Sequence, residues 1–269
     1  MIEIKIELSP ETIPTLRTFV SDYLEQSGAH GYILGLSGGL DSAVVCKLLA
    51  DTVGPERVAA LLLPAAPTSE EDMEDARNFG ESLGIEIEEV RIEPVIEKFR
   101  EVLGFQLSKI SQGNLMARVR MCTLFAFANQ NNLLVAGTSN KTELLTGYFT
   151  KYGDGAADIL PIGDLYKTQV RLLARELKIP EKILKKAPSA GFWKGQRDEE
   201  ELGISYEELD KILFGIEHFL KIEEIHAITG IPVERISEIV RRVEKTWHKR
   251  RLGVIPKIGT QTVGVDWRE

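Results

Sequence analysis

Residues 31–49 read GYILGLSGGLDSAVVCKLL. The apolar run Tyr32–Leu36 predicts a buried strand, a glycine-rich turn follows, and Ser42–Val53 has helical spacing. Strand, glycine loop and helix in succession are the layout of a phosphate cradle. Amides of the loop and of the first helical turn point at an anion and the helix dipole assists them. In the stretch Gly35, Leu36, Ser37, Gly38, Gly39, Leu40, Asp41, Ser42, the glycines permit a close approach to a ligand and the serines add hydroxyl donors. The phosphate loop GxxxxGK[ST] carries a lysine for the β- and γ-phosphates. Here Asp41 stands near that position instead. A carboxylate beside a polyphosphate repels it unless a cation lies between, so Asp41 implies Mg²⁺ shared with phosphate oxygens. Taken alone, a glycine turn with an Asp–Ser cap is an ordinary helix start; the full strand–SGGLDS–helix succession reads as nucleotide binding.

Outward from this stretch the first half alternates strand and helix. Val58–Leu63 is a second apolar run, and TSEEDMEDARNFGESLG (68–84) opens on the capping pair Ser69 and Asp72 and stops at Gly84. Ile85–Ile92 alternates with period two, Pro94–Leu103 is helical, and NLMARVRMCTLFAFANQ (114–130) predicts a long, largely apolar helix. Leu133–Ala136 is a further buried strand ending in GTSNKTE, Asp158–Ile162 a short one, and Lys167–Leu177 a helix stopped before Pro180. This alternation predicts an α/β fold: a doubly wound parallel sheet, Rossmann-like, with helices on both faces and a helical C-terminal part. Ligands bind such sheets beyond the carboxyl ends of the strands, where GLSGGLDS, PAAPTSEE and GTSNKTE should meet. Beyond residue 180, RDEEELG reads as an acidic loop before a helix capped by Ser205 with Glu208. One domain over 1–269 is expected.

The 269 residues carry a net charge of −8, which speaks against broad nucleic-acid binding. The hairpin-like IHAITGIPVERISEIVRRV (225–243) looks like a helix-turn-helix, but its second helix carries Glu234, Glu238 and Glu244, and any packed helical hairpin looks similar. Two cysteines, Cys46 and Cys122, form no CxxC, so no disulfide framework is expected and a reducing cytoplasm fits. No apolar run is long enough to span a membrane, and MIEIKIELSP is not a signal peptide. His30, His218 and His226 show no metal spacing.

The loop resembles the pyrophosphate loop of the ATP-pyrophosphatase superfamily, whose members cleave ATP between the α- and β-phosphates. The missing lysine fits this, because no γ-phosphoryl group is transferred. Three further stretches narrow the resemblance: GNLMARVRM (113–121), GTSNKTELLTGYFTKYGDGAADILPI (137–162) and DLYKTQVR (164–171). With PSA (188–190) and WHKRR (247–251), they look like ammonia-dependent NAD synthetases, in that family's order and over most of the chain.

That resemblance implies a ligase converting deamido-NAD⁺, ATP and ammonia to NAD⁺, AMP and pyrophosphate, with Mg²⁺ as cofactor. It implies that Asp41 and Glu143 hold the metal and that Gly35 to Ser42, Thr138, Lys167 and Ser189 contact ATP. It further implies that Arg118, Lys151, Asp158, His248 and Lys249 contact deamido-NAD⁺, and that the enzyme is a homodimer. The apolar helix 114–130 points the same way, being apolar on too many sides for a one-faced surface helix. Arg118 or Arg120 could grip phosphate or carboxylate through a planar fork. Asp154 or Asp158 could bind ammonium and take its proton. The segment LLLPAAPTSEED (61–72) departs from the family's common wording on the adenine side. Taken singly, Glu143 is an ordinary first-turn acid, Lys151 and Lys167 are solvated lysines, and HKRR is a basic tail. A tRNA-modifying ATP pyrophosphatase is the rival enzyme, and an ATP-binding sensor the rival non-enzyme. Missing paired cysteines argue against the first, and two candidate metal ligands against the second. No region is spare for a glutaminase domain, which would need an activated nucleophile.

Overall fold

The computed structural model describes residues 4–193 and 195–266. Helix α1 (Thr12–Ser27) precedes β1 (Gly31–Gly35), and α2 (Leu40–Val53) follows it. Then come β2 (Val58–Leu62), α3 (Glu70–Leu83), β3 (Glu86–Glu89), α4 (Glu93–Leu103), α5 (Lys109–Asn131) and β4 (Leu133–Val135). The remainder is helical: α6 (Lys141–Thr146), α7 (Lys167–Glu176), α8 (Glu181–Leu184), α9 (Asp198–Leu202), α10 (Tyr206–Glu217), α11 (Ile222–Thr229) and α12 (Val233–Lys245). A 3-10 turn at Trp247–Arg250 ends it.

The sheet is parallel, in the order β3-β2-β1-β4, with Ile33 opposite both Ala59 and Val135. The chain winds outward from β1 to β3 and then crosses back to place β4 on the other side of β1. Connections leave β1 and β4 in opposite directions, which opens a crevice at their carboxyl ends. Strand residues alternate between two cores. Tyr32, Leu34 and Ala60 pack with α2, α3 and α7, while Ile33, Ala59 and Leu61 pack with α4 and α5. Burial on both faces is why β1 and β2 are unbroken apolar runs. The edge strand β3 exposes Glu86, Glu88 and Glu89, and such charges discourage pairing with another sheet. A third core, built on Tyr206, Leu209, Ile212, Leu213, Ile225, Ile236 and Ile239, joins the C-terminal helices.

Several expectations are corrected. Asp158–Ile162 is no strand: one bridge, Ala136 to Ile159, extends the sheet edge, because the segment turns away after pairing with β4. RDEEELG is not a loop but α9, closed by Gly203 in the left-handed region, and its Asp198 and Leu202 are buried. The long helix begins at Lys109, capped by Ser108, whose side chain accepts the Ser111 N–H. The hairpin of α11 and α12 buries Ile225, Ile231, Ile236 and Ile239, so packing accounts for its pattern. Helix α1 has no side-chain cap at Glu11 and no acid in its first turn, so its start carries no local signal.

Candidate active site

A cavity of about 350 Å³ opens at the crevice between β1 and β4. Its wall includes Gly35, Leu36, Ser37, Gly39, Leu40, Asp41 and Ser42 from the glycine loop. Within that loop Ser37 Oγ accepts the Gly39 N–H at 3.3 Å and lies 3.1 Å from Ser42 Oγ, which itself donates to Gly39 O at 3.0 Å. Gly38 is not part of the cavity wall. Its φ of +77° and the Asp72 carbonyl, 2.3 Å from where a Cβ would stand, leave room for glycine alone.

Three chain segments converge on one cation. Lys167, the first residue of α7, is 2 % exposed and pairs with Asp41, in the first turn of α2. Glu143, in the first turn of α6, brings Oε1 to 3.8 Å from the same ammonium. Asn140 ties the acids together: its Nδ2 donates to Asp41 Oδ1 at 3.1 Å and its Oδ1 accepts the Glu143 N–H at 3.1 Å. Glu143 Oε2 closes a capping box on the Asn140 N–H at 3.3 Å, so the first-turn acid also has a local role. Burial by itself would lower the Lys167 pKa, but the Asp41 and Glu143 charges outweigh it and the pKa rises. Burial, and then repulsion from Asp41, push the Glu143 carboxyl well above its ordinary value.

Asp198, in α9, is the group that sequence reasoning missed. It lines the cavity, is 4 % exposed, and accepts from Tyr148 and Tyr206 hydroxyls at 3.1 Å each and from the Ala190 N–H at 3.0 Å. Its pKa is raised by burial. In an acidic stretch such as RDEEE nothing marks one carboxylate as buried.

Thr138, Asp154 and Ser189 also face the cavity. Asp154 accepts the Thr150 N–H at 2.9 Å, and burial raises its pKa. Arg120 lines the same wall, donating from Nε to Leu63 O at 3.1 Å, and burial lowers its pKa to about 10. Arg118, Lys151, Asp158, His248 and Lys249 do not line it. Four of these gather on the loop after α6: Arg118 donates to Lys151 O at 3.3 Å, Lys151 Nζ to His248 O at 3.0 Å, and Lys249 Nζ to Gly147 O at 2.6 Å. The HKRR stretch is therefore docked, and Arg250 caps α6 by donating to Leu145 O at 2.8 Å. Asp158 Oδ2 accepts the Val135 N–H at 2.7 Å and serves the sheet edge.

A parallel sheet with a glycine loop at its switch point, and partly buried acids around one buried lysine, define an α/β nucleotide-binding enzyme. A profile of the NAD synthase family matches residues 12–253. An NH₃-dependent NAD⁺ synthetase of Thermococcus kodakarensis is 48 % identical over 91 % of this chain and 96 % of its own. Among solved structures, an NMN synthetase from Francisella tularensis superposes with a TM-score of 0.83 at 38 % identity, over 93 % of this chain and 100 % of that one. The NH₃-dependent NAD synthetase of Campylobacter jejuni gives 0.78 at 30 % identity, over 92 % and 98 %. The chain belongs to the NAD synthase family.

Proposed function

We propose that this protein is an ammonia-dependent NAD synthetase, a ligase that amidates deamido-NAD⁺ at the cost of ATP cleavage to AMP and pyrophosphate. The observation that carries this reading is the cluster of Lys167, Asp41 and Glu143 set against the glycine loop in one cavity. A nicotinate oxygen attacks the α-phosphorus of ATP, the bond to the β-phosphate bridge oxygen breaks, and pyrophosphate leaves. Ammonia then attacks the carbonyl carbon of the acyl adenylate, AMP departs with the former carboxylate oxygen, and one proton is lost from nitrogen. The loop amides and Lys167 grip the β- and γ-phosphates, and Thr138 and Ser189 complete the ATP contacts.

Asp41 and Glu143 would hold Mg²⁺. Two hard oxygen donors suit Mg²⁺, which takes one or two carboxylates and fills its remaining positions with phosphate and water. Among the described residues no three acids, histidines or cysteines close on one point, so a fully protein-built metal cage is not offered. Asp41, Glu143 and Asp198 all crowd the single Lys167 charge, and repulsion from Asp41 and Asp198 adds to burial in raising the Glu143 pKa, a repulsion that a second cation would relieve. When bound, Mg²⁺ neutralises the departing pyrophosphate.

Asp154 rather than Asp158 takes the ammonium and its proton, because Asp154 faces the cavity and the Asp158 carboxylate is engaged by Val135. Arg118, Lys151, His248 and Lys249, gathered on the loop after α6, form the deamido-NAD⁺ side, and Asp158 is left to the sheet edge. A homodimer fits the exposed apolar face of α4 and its flank, where Val95, Phe99, Val102, Phe105 and Ile110 are uncovered. Sedimentation of an active monomer at micromolar concentration would rule the dimer out. No helix among the described residues is long and apolar enough to cross a membrane, and we assign the enzyme to the cytoplasm. Ammonia is the donor we assign, a reading supported by NH₃-dependent relatives that are 44–48 % identical to this chain.

Isotope transfer tests the reaction. Deamido-NAD⁺ labelled with ¹⁸O in the nicotinate carboxylate should place one label in AMP and none in pyrophosphate. Unlabelled AMP, or stoichiometric ADP, would overturn the reading. Nicotinic acid mononucleotide run in parallel tells a dinucleotide acceptor from a mononucleotide one.

A further inference from the structure

Asp210 is fully buried yet lines no part of the cavity. Its Oδ1 accepts the Thr142 hydroxyl at 2.5 Å, and its Oδ2 accepts the Thr168 backbone N–H at 2.8 Å. The Thr142 hydroxyl oxygen in turn accepts the Lys167 backbone N–H at 2.9 Å. Thr142 directly precedes Glu143, and Lys167 directly precedes Thr168. One carboxylate from α10 therefore closes a hydrogen-bonded ring through the first turns of α6 and α7, the two helices that carry Glu143 and Lys167. One turn earlier on α10, and on the same face, Tyr206 lays its ring 5.4 Å from Lys167 Nζ. Helix α10 thus holds Lys167 at both ends, its backbone through Asp210 and Thr142 and its ammonium through Tyr206.

Packing alone does not call for this arrangement. A buried carboxylate is costly unless every lone pair is satisfied, and an apolar side chain would fill the same space more cheaply. What an apolar residue cannot do is fix two helix starts relative to each other through directional bonds. Resting on the ligase reading above, we propose that Asp210 is a positioning residue. Its carboxylate sets the spacing between Glu143 and Lys167, so that the metal-holding acid and the phosphate-binding ammonium meet the triphosphate in one arrangement. Misplacement by about 1 Å at such a centre costs about 10²-fold in rate.

The experiment measures kcat and KM for ATP and deamido-NAD⁺, with melting temperature, for the wild type and four single variants. Asp210→Asn keeps the shape but has a single acceptor oxygen, so it cannot accept both the Thr142 hydroxyl and the Thr168 N–H, and it should lose about 10- to 100-fold in kcat while both KM values stay within about threefold. Thr142→Val should lose a similar factor, Thr142→Ser much less, and the Asp210→Asn/Thr142→Val double variant no more than the worse single one. Ile212→Ala empties core volume on the same helix, and should lower the melting temperature at least as far without that loss of kcat. A kcat within twofold of wild type in Asp210→Asn, or in Thr142→Val should Asp210→Asn not fold, would overturn the proposal. So would multiplying losses in the double variant, or an equal kcat loss in Ile212→Ala. A wild type that forms no NAD⁺ from deamido-NAD⁺ refutes the ligase reading instead, and the two failures are told apart in the same assay.

Discussion

The sheet half and the helical half contribute to the same cavity by different means. From β1 to β4, strands and helices largely alternate, and they deliver backbone: a glycine loop, strand ends and helix starts aimed at one crevice. From α6 onward the helices deliver side chains whose placement depends on one another: Glu143 on α6, Lys167 on α7, Asp198 on α9, and Tyr206 and Asp210 on α10. A backbone cradle tolerates variation because every residue carries an N–H. A side-chain constellation does not, since each member needs a partner at hydrogen-bond distance in a site of low dielectric. Damage should therefore be greatest where the two halves meet.

The ion cluster is that junction. Asp41→Asn, Glu143→Gln and Lys167→Met should each reduce kcat by about 10²–10³ or more, with the fold intact by circular dichroism. Near-normal turnover of Glu143→Gln at ordinary Mg²⁺ would leave Glu143 with only its capping role. Next in size is Asp198→Asn, confined to the helical half. It weakens the acceptor that fixes Ala190 beside Ser189, and should raise KM for ATP by about tenfold, read from initial rates. In the sheet half, Gly38→Ala should cost about 1–3 kcal/mol by denaturant melt, because a Cβ there meets both left-handed strain and the Asp72 carbonyl. Unchanged stability would show that the loop is looser than its contacts imply.

The smallest effect is on pH, and the buried acids of the helical half set its sign. Glu143, Asp154, Asp198 and Asp210 all have raised pKa values, with burial the largest cause. Between the ordinary carboxylate range and their raised values, the folded state holds protons that the unfolded state has released. Metal-free stability should therefore fall as pH rises through that window. Asp75 and Glu217 have lowered values, so their contributions are lost only as pH drops below the ordinary range. Lys167, with its pKa raised, keeps its contribution until well above neutrality. A metal-free sample should melt a few degrees higher at pH 5.5 than at pH 7.5, and Glu143→Gln should flatten the slope. A slope of opposite sign would mean that these acids are ionised and paired.

The sheet half is legible from local patterns in the chain. Unbroken apolar runs at 32–36 and 58–63, helical spacing between them and capping signals at Ser69 and Gly84 specify a parallel sheet. Each is a local regularity of period, cap or turn, and β1, β2, α2 and α3 fall within about two residues of their expected bounds. The glycine loop was legible for the same reason, because its chemistry lies in consecutive backbone. Which polar side chains of the helical half are buried depends instead on contacts between segments far apart in the chain. Lys167 and Lys151 look alike in sequence, yet one lies inside an ion cluster and the other donates from the surface to His248 O. Asp198 and Asp210 sit in acidic stretches whose neighbours face water, and Asp158, three residues before Pro161, went to the sheet edge rather than to the cavity. Burial of a charge is a property of its partners. Asp41 and Lys167 stand 126 positions apart in the chain, and no local pattern records which distant segment supplies the counter-ion.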